Sequence, residues 1–209
     1  MTKRATSEAT QSEPGQPYPT PEELTRNRLL DAGIACLDRH GLKKTTMRLI
    51  AEESGIVRQT VYNYFQNKYD LLSAAFEREG LLLGEETARF IERFDSVDDK
   101  FVEGFLYIHD HFPRNPILAN VLDPTQNFVA RAGLSSVPFA VYGELVFKAV
   151  FEEHPYLKPH IEEISELWTR NVLSFLMLPG PRKKTRNELK QFVRRYLLPG
   201  IHLHEHTPH

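Results

Sequence analysis

The chain has only one cysteine, Cys36, among its 209 residues. No disulfide can therefore form within one copy, which suits a reducing compartment. The first residues are polar and lack the apolar stretch of a secretory signal. No run of apolar residues approaches the roughly 18 that a membrane-spanning helix needs. From these absences we expect a cytoplasmic protein.

The residue patterns of common enzyme sites are also missing. No glycine-rich phosphate loop occurs, and no spacing of Ser, His, Asp or Glu singles out a nucleophile or an acid–base pair. His109 and His111 flank Asp110, but on a helix these two histidines point about 200° apart and cannot share an ion. A pocket-lining polar pair is the simpler interpretation, and a flexible tail is the simpler interpretation of the histidines at 202–209. We expect no enzyme activity, no metal and no cofactor.

What the sequence does contain is helical periodicity from about residue 20 onward. Thr20 and Pro21, followed by two glutamates, are typical of a helix start. Gly41 is typical of a helix end. No alternating β pattern rises above noise, so the predicted fold class is all-α. The predicted later segments are short helices at 47–54 and 58–65, a long helix at 69–93, a loop at 123–136, and closing helices near 158–178 and 186–198.

The stretch "SGIVRQTVYNYF", residues 54–65, has much polar and aromatic surface for so short a helix. It follows two helices and two glycine-containing turns, which is the helix-turn-helix pattern, and in that motif this helix enters the major groove of DNA. Val61 and Phe65 are spaced to face inward. Arginine can bind guanine, and glutamine adenine, through paired hydrogen bonds. The side chains left to meet DNA are Arg58, Gln59, Tyr62 and Asn63.

The distribution of charge supports this interpretation. A net charge of −2 argues against a general binder of polyanions, but the segment 38–68 holds six basic residues against three acidic ones. A second basic cluster, at 182–195, alternates with apolar residues at helical spacing. We interpret that cluster as an amphipathic interface helix rather than as a second DNA site.

Residues 24–72 resemble the DNA-binding domain of the TetR family of transcriptional regulators. The resemblance is carried by "LLDAGIACLDRHG", "TTMRLIAEESGI" and "TVYNYFQNKYDLL" and by their spacing. It implies that Thr46 and Lys68 bind phosphate and that Arg48 reaches a base. One departure is Val57, where the family usually has a serine or threonine, so a helix cap worth about 1 kcal/mol is missing. The full set of implied DNA contacts is Thr46, Arg48, Arg58, Gln59, Thr60, Tyr62, Asn63, Tyr64 and Lys68.

The resemblance also implies a second, larger helical domain that binds a ligand and forms a homodimer. The expected division is a disordered arm at 1–19, the helix-turn-helix domain at 20–68, the ligand-binding and dimerisation domain at 69–201, and a flexible tail at 202–209. The expected ligand contacts are Phe105, His109 and Tyr142. The expected dimer contacts are Ile161, Ile164, Trp168, Phe175, Leu176, Phe192, Val193 and Tyr196.

Together these features predict a DNA-binding regulator, specifically a repressor that a small, mostly apolar molecule releases from a palindromic double-stranded operator. The alternative is a TetR-like helical adaptor that binds a protein partner instead of DNA. An adaptor has no need to keep Arg48, Arg58, Gln59 and Lys68 together, and this chain keeps them.

Overall fold

The computed structural model describes residues 18–122, 140–178 and 180–202. Every regular element in these ranges is helical, which confirms the predicted all-α class. None of the described helices is long and apolar enough to cross a membrane. The α-helices are α1 (Pro21–Lys44), α2 (Met47–Ser54), α3 (Arg58–Tyr64), α4 (Lys68–Ile91), α5 (Val97–His111), α6 (Pro116–Leu122), α7 (Ala140–Glu153), α8 (Ile161–Met177), α9 (Arg186–Phe192) and α10 (Leu198–His202).

The first three helices begin and end where local residue chemistry predicts. The Thr20 side chain accepts a hydrogen bond from the Glu23 amide and so caps α1. Helix α1 is interrupted at Gly41, whose φ of 71° lies in the left-handed region that favours glycine. Thr46 caps α2, and Gly55, with φ of 63°, ends it. No side chain caps α3 at Val57, as the sequence predicts.

Helix α4 joins this three-helix unit to the rest of the chain. Gly33 of α1 packs so closely on α4 that an added Cβ would lie 2.3 Å from Cδ2 of Leu71. The shared core is apolar and fully enclosed, with Leu29, Leu30, Leu37, Ile50, Val61, Leu71 and Leu72 each at most 2% exposed. Cys36 belongs to it, and burial, together with the nearby Glu53 carboxylate, raises the pKa of its thiol.

The larger helical unit is built around Trp168 of α8. Its indole Nε1 donates a hydrogen bond of 3.2 Å to the Phe101 carbonyl oxygen on α5. The Phe147 ring of α7 meets the indole edge-on, with ring centroids 4.8 Å apart. Helices α7 and α8 approach backbone to backbone at Gly143, where an added Cβ would lie 2.8 Å from Ser165 Cα. Aromatic packing and one small residue therefore hold α5, α7 and α8 together.

Ion pairs fix the last helical segment against α5. The Glu103 carboxylate, only 6% exposed, accepts hydrogen bonds from Lys190 at 2.6 Å and from Arg186 at 3.1 Å. Arg194 pairs in the same way with Asp99 near the start of α5. Burial alone would raise the pKa of Glu103, but the hydrogen bonds from Lys190 and Arg186 outweigh it and hold that pKa below its usual value.

Some predicted boundaries differ from the observed ones. Helix α8 starts at Ile161 rather than near 158, because Pro155–His160 forms a 3₁₀ turn that contains Pro159. The closing helix is not uniform, since a π-helical turn at Val193–Leu197 separates α9 from α10. The predicted loop at 123–136 lies outside the described residues. So do most of the predicted arm at 1–19 and of the tail at 202–209.

Candidate DNA-binding surface and effector cavity

Helix α3 leaves its polar side exposed because its apolar side is buried against the rest of the protein. Val61 is completely buried and Phe65, which follows the helix, is 4% exposed. Arg58, Gln59 and Asn63 are all exposed on the other side. The predicted inward and outward faces of this helix therefore agree with the structure. A helix with exposed amide and guanidinium groups on its outer face is suited to reading base edges.

Arg58 is held in place by Tyr62, one turn further along α3. The Arg58 guanidinium donates a hydrogen bond of 3.3 Å to the Tyr62 hydroxyl and lies over its ring, 5.4 Å from the centroid. Tyr62 is 39% exposed. Thr60 and Tyr64 are half-buried, and Tyr64 packs against the apolar core. Tyr64 therefore has a packing role that the sequence left open.

Helix α2 lies beside α3 and carries two further predicted contacts. Thr46 is exposed, but its hydroxyl already accepts a hydrogen bond from the Leu49 amide at 3.2 Å. Arg48 is exposed and pairs loosely with Glu52 at 3.5 Å. Such an exposed pair contributes little, so the guanidinium can exchange its partner for DNA. A two-pronged ion pair between Arg39 and Glu53, with distances of 2.8 and 2.6 Å, fixes α2 on α1.

Lys68 has a structural role that its sequence position did not reveal. Its Nζ donates hydrogen bonds to the carbonyl oxygens of Leu42 at 2.7 Å and Thr45 at 2.8 Å. These carbonyls lie at the end of α1, so the ammonium group joins the start of α4 to that end. An ammonium group has three N–H donors, so one remains and Lys68 can contact a phosphate while it keeps both carbonyls.

A small apolar cavity of about 50 Å³ lies between α4, α5, α7 and α8. Of the three predicted ligand contacts, only Tyr142 lines it. Phe105 is fully buried against Trp168 and Phe175, and His109 lies in a different cleft. The prediction that these three residues share one site is therefore corrected. The cavity walls are set by tertiary contacts, which residue spacing along α5 and α7 does not define.

Sequence reasoning missed Thr169, which lies on the cavity wall and is 7% exposed. Within the described residues its hydroxyl has no hydrogen-bond partner. A buried hydroxyl without a partner is costly, and of the two such groups among the described residues, Ser165 and Thr169, only Thr169 lies on the cavity wall. Burial raises the pKa of Tyr142, which keeps its phenol protonated as a second donor. No sequence signal distinguishes Thr169 from an ordinary core threonine.

A polar network joins this cavity to the helix-turn-helix unit. Arg78 of α4 pairs with Asp31 of α1 at 2.6 Å and with its neighbour Glu79 at 2.8 Å. Glu79 in turn accepts a hydrogen bond of 2.8 Å from Asn115, whose side chain also caps α6. The neighbouring residues Phe76, Gly80 and Phe112 line the cavity.

Three predicted dimer contacts lie inside the protomer instead. Ile164, Trp168 and Val193 are each 1% exposed, so a second copy cannot reach them. Their helical spacing correctly predicts a buried side of each helix, but it does not predict which element covers that side. Phe175 and Phe192 pack on each other and are half-buried, while Tyr196 is 64% exposed. Ile161 and Leu176 are half-buried. Of the predicted set, Tyr196 is therefore the most available to a partner.

The described residues thus form a helix-turn-helix unit with an exposed polar face on α3, attached to a helical bundle with a small apolar cavity. The helix-turn-helix unit defines a DNA-binding protein as the structural class.

Comparisons with known proteins support that class. The family described as "Bacterial regulatory proteins, tetR family" matches residues 29–75. The HTH-type transcriptional repressor KstR of Mycolicibacterium smegmatis is 26% identical over 166 residues, which cover 72% of this chain and 76% of KstR. The crystal structure of AlkX from a Dietzia strain superposes with a TM-score of 0.62 at 21% identity, covering 85% of this chain and 95% of AlkX. RolR in complex with resorcinol also gives 0.62, at 14% identity, covering 90% and 96%.

Residues 29–75 match the DNA-binding domain of the TetR family, and the repressor relatives support a DNA-binding transcriptional regulator of that kind. The alternative of a helical adaptor without a DNA function is not favoured.

Proposed function

We propose that this regulator is a cytoplasmic repressor, that two copies bind a roughly palindromic operator, and that a small, mostly apolar molecule releases them. The observation that carries the DNA part is the outer face of α3. It keeps Arg58, Gln59 and Asn63 exposed on a helix whose other face is anchored by the fully buried Val61. A two-fold dimer of such units matches a palindrome, because each helix reads one half-site.

The proposed effector binds in the cavity beside Tyr142 and Thr169. Apolar walls favour an apolar body, and the unpartnered Thr169 hydroxyl favours one oxygen-bearing polar group on it. A volume of about 50 Å³ is small, since an engineered cavity that binds benzene measures roughly 150 Å³. The effector must therefore widen the site. Tyr142 is the side chain to move, because its ring presses against Gly80, where a Cβ would lie 2.9 Å from it. Resorcinol in RolR is an example of a small aromatic ligand with hydroxyl groups.

The proposed signal passes through α4 and α6. A ligand that pushes Gly80 or Phe112 displaces the helices that carry Glu79 and Asn115, and Arg78 links that displacement to Asp31 of α1. The DNA-binding helices of the two copies then adopt a different spacing. The ligand lowers DNA affinity only by as much as it prefers this second arrangement.

The test of DNA recognition is selection of binding sites from a random double-stranded library, followed by affinity measurements on the selected site. We expect a site with two related halves. Arg58→Ala or Gln59→Ala should weaken binding by about 1–3 kcal/mol and relax preference at one base position in each half. Arg170→Ala is the matched control, since this exposed arginine lies on α8 and pairs with Glu166.

If neither α3 variant changes the selected sequence, the assignment of the reading face is wrong. If the wild type selects no sequence and captures a protein instead, the adaptor alternative returns.

A further inference from the structure

A second and larger cleft, of about 470 Å³, lies where α5, the end of α8 and the start of α9 meet. Its floor is apolar and consists of Phe175, Leu178 and Leu189, whereas its rim is basic and consists of Arg182, Lys183 and Lys184. His109 completes the wall on the α5 side. The volume falls within the range of about 300–1,000 Å³ that small-molecule sites occupy.

The three basic side chains on this rim have different partners. Arg182 is oriented by Glu188 at 2.8 Å. Lys184 lies over the rings of Phe175 and Phe192, 5.8 and 5.2 Å from their centroids. Lys183 is exposed, and among the described residues no carboxylate pairs with it. At least two ammonium groups are therefore available to an anion.

No carboxylate lies on the wall of this cleft, which sets it apart from its neighbours. Other surface clefts in the described ranges mix both signs. One carries Glu92 and Glu152 beside Lys100 and Lys148, and another carries Glu79 and Glu86 beside Arg114. The carboxylates offset the attraction of an anion in those clefts, whereas the cleft with the basic rim has no such offset on its wall.

We propose that this cleft binds an organic anion, with a carboxylate or phosphate on the basic rim and an apolar body on the floor of Phe175, Leu178 and Leu189. Because the basic residues lie on one edge of the cleft, only one end of the ligand should be negatively charged. Leu178 is 71% exposed, so an apolar ligand chain that covers it would remove apolar surface from water. His109, expected from the sequence to touch the effector, belongs to this second site.

This site is distinct from the effector cavity. The two spaces share no lining residue, and neighbouring positions on α5 and α8 line different ones. Ile108 and Leu173 line the cavity, whereas His109 and Ser174 line the cleft. The proposal therefore does not depend on the effector cavity or on DNA recognition, and it can fail without either.

Calorimetric titration of the full-length protein with three ten-carbon probes tests the proposal. Decanol, decanoate and decyl phosphate share one apolar chain and differ in charge, and each is used below its micelle concentration. We expect both anions to bind at least about tenfold more tightly than decanol, and we expect added salt to reduce this preference. The comparison of decanoate with decyl phosphate shows which anion the rim prefers.

Substitutions then locate the binding. Lys183→Met with Lys184→Met removes charge but keeps chain length, and should abolish the preference for anions over decanol. Lys148→Met with Lys158→Met is the control, because these lysines line a cleft that also holds Glu144 and Glu152. Leu178→Asp should block anion binding, whereas Leu178→Asn, which has nearly the shape of Asp but no charge, should retain it. Leu178 is exposed, so neither change should disturb the folded core.

Three results would overturn the proposal. The wild type could bind all three probes equally, or bind anions only above about 1 mM, which is the range of weak nonspecific association. The lysine double variant could keep the anion preference. That variant could also lose operator affinity while it still binds decanoate as before, in which case the basic rim contacts DNA.

Discussion

Lys68 shows at the scale of one residue how a predicted DNA contact can also hold the fold. Its ammonium group bridges two carbonyl oxygens at the end of α1, those of Leu42 and Thr45. We predict that Lys68→Met lowers the free energy of unfolding by about 1–3 kcal/mol, because two half-buried acceptors lose a charged donor. Urea denaturation measures this loss, with the exposed Lys43→Met as control.

The opposite pattern would contradict the structural role of Lys68. That pattern is unchanged stability in urea together with a weaker salt dependence of DNA binding, as expected for a residue that only neutralises a phosphate.

Single residues also show which parts of the site the sequence could predict. Val61 and Phe65 face inward because residues four apart share one side of a helix, and Arg58 and Gln59 then face outward by the same geometry. The cavity residue Thr169 could not be found in this way. Its role depends on where α4 and α7 stand relative to α8, and that distance is set by contacts such as Gly80 against Tyr142.

At the scale of elements, the attachment of α9 to α5 depends on Glu103. The pKa of Glu103 is lowered in the folded protein, so its ion pairs with Lys190 and Arg186 stabilise the fold above the ordinary carboxyl pKa of about 4.3. This stabilisation is lost as the pH falls through the lower pKa of the folded state. Acid should therefore loosen the last helices.

We predict that Glu103→Gln lowers stability at neutral pH by about 1–3 kcal/mol, because two cations lose a charged acceptor. The variant should also lose less stability than the wild type between about pH 5 and pH 3, because its side chain does not titrate. Urea denaturation across that range measures both effects, with Glu162→Gln at an exposed position as control. Parallel stability curves for the wild type and Glu103→Gln would show that the ion pairs do not stabilise the fold.

Elements also show the limit of periodicity as a guide. The apolar residues of the helix predicted near 158–178 indicated one buried side, and α8 has such a side within narrower bounds. Trp168 on that side contacts α5 and α7, and Ile164 beside it is 1% exposed, so neither is available to a second copy. Hydrophobic spacing identifies the buried side of a helix, but the rest of the fold decides which element covers it.

At the scale of the whole molecule, we propose that a second copy binds on α8 and the last helical segment. Tyr196 is 64% exposed and Leu167 is 38% exposed. Gly200 brings the two elements together, since an added Cβ there would lie 3.4 Å from Cδ2 of Leu167. These exposed apolar groups form the central part of the proposed dimer interface.

We predict that Tyr196→Glu converts a dimer into a monomer at micromolar concentration, because a charge buried without a partner opposes association. Operator affinity should fall with it, since each half-site needs its own subunit. Sedimentation equilibrium and operator titration measure the two effects. Leu82→Glu on α4 is the control, because this residue is 45% exposed and lines a cleft with residues of α6 and none of α8. A Tyr196→Glu variant that stays dimeric would place the interface elsewhere, and a monomeric wild type would contradict the proposed dimer.

Cys36 makes the spacing of the two reading helices directly measurable. Its thiol is 2% exposed with a raised pKa, so maleimide and methanethiosulfonate reagents react with it slowly. A cysteine introduced at the exposed Gln66, immediately beyond α3, would thus be the one fast-reacting thiol in each copy. A pair of spin labels at that position would report the distance between the two copies' DNA-reading units by electron resonance, before and after an effector is added, without removal of the native cysteine.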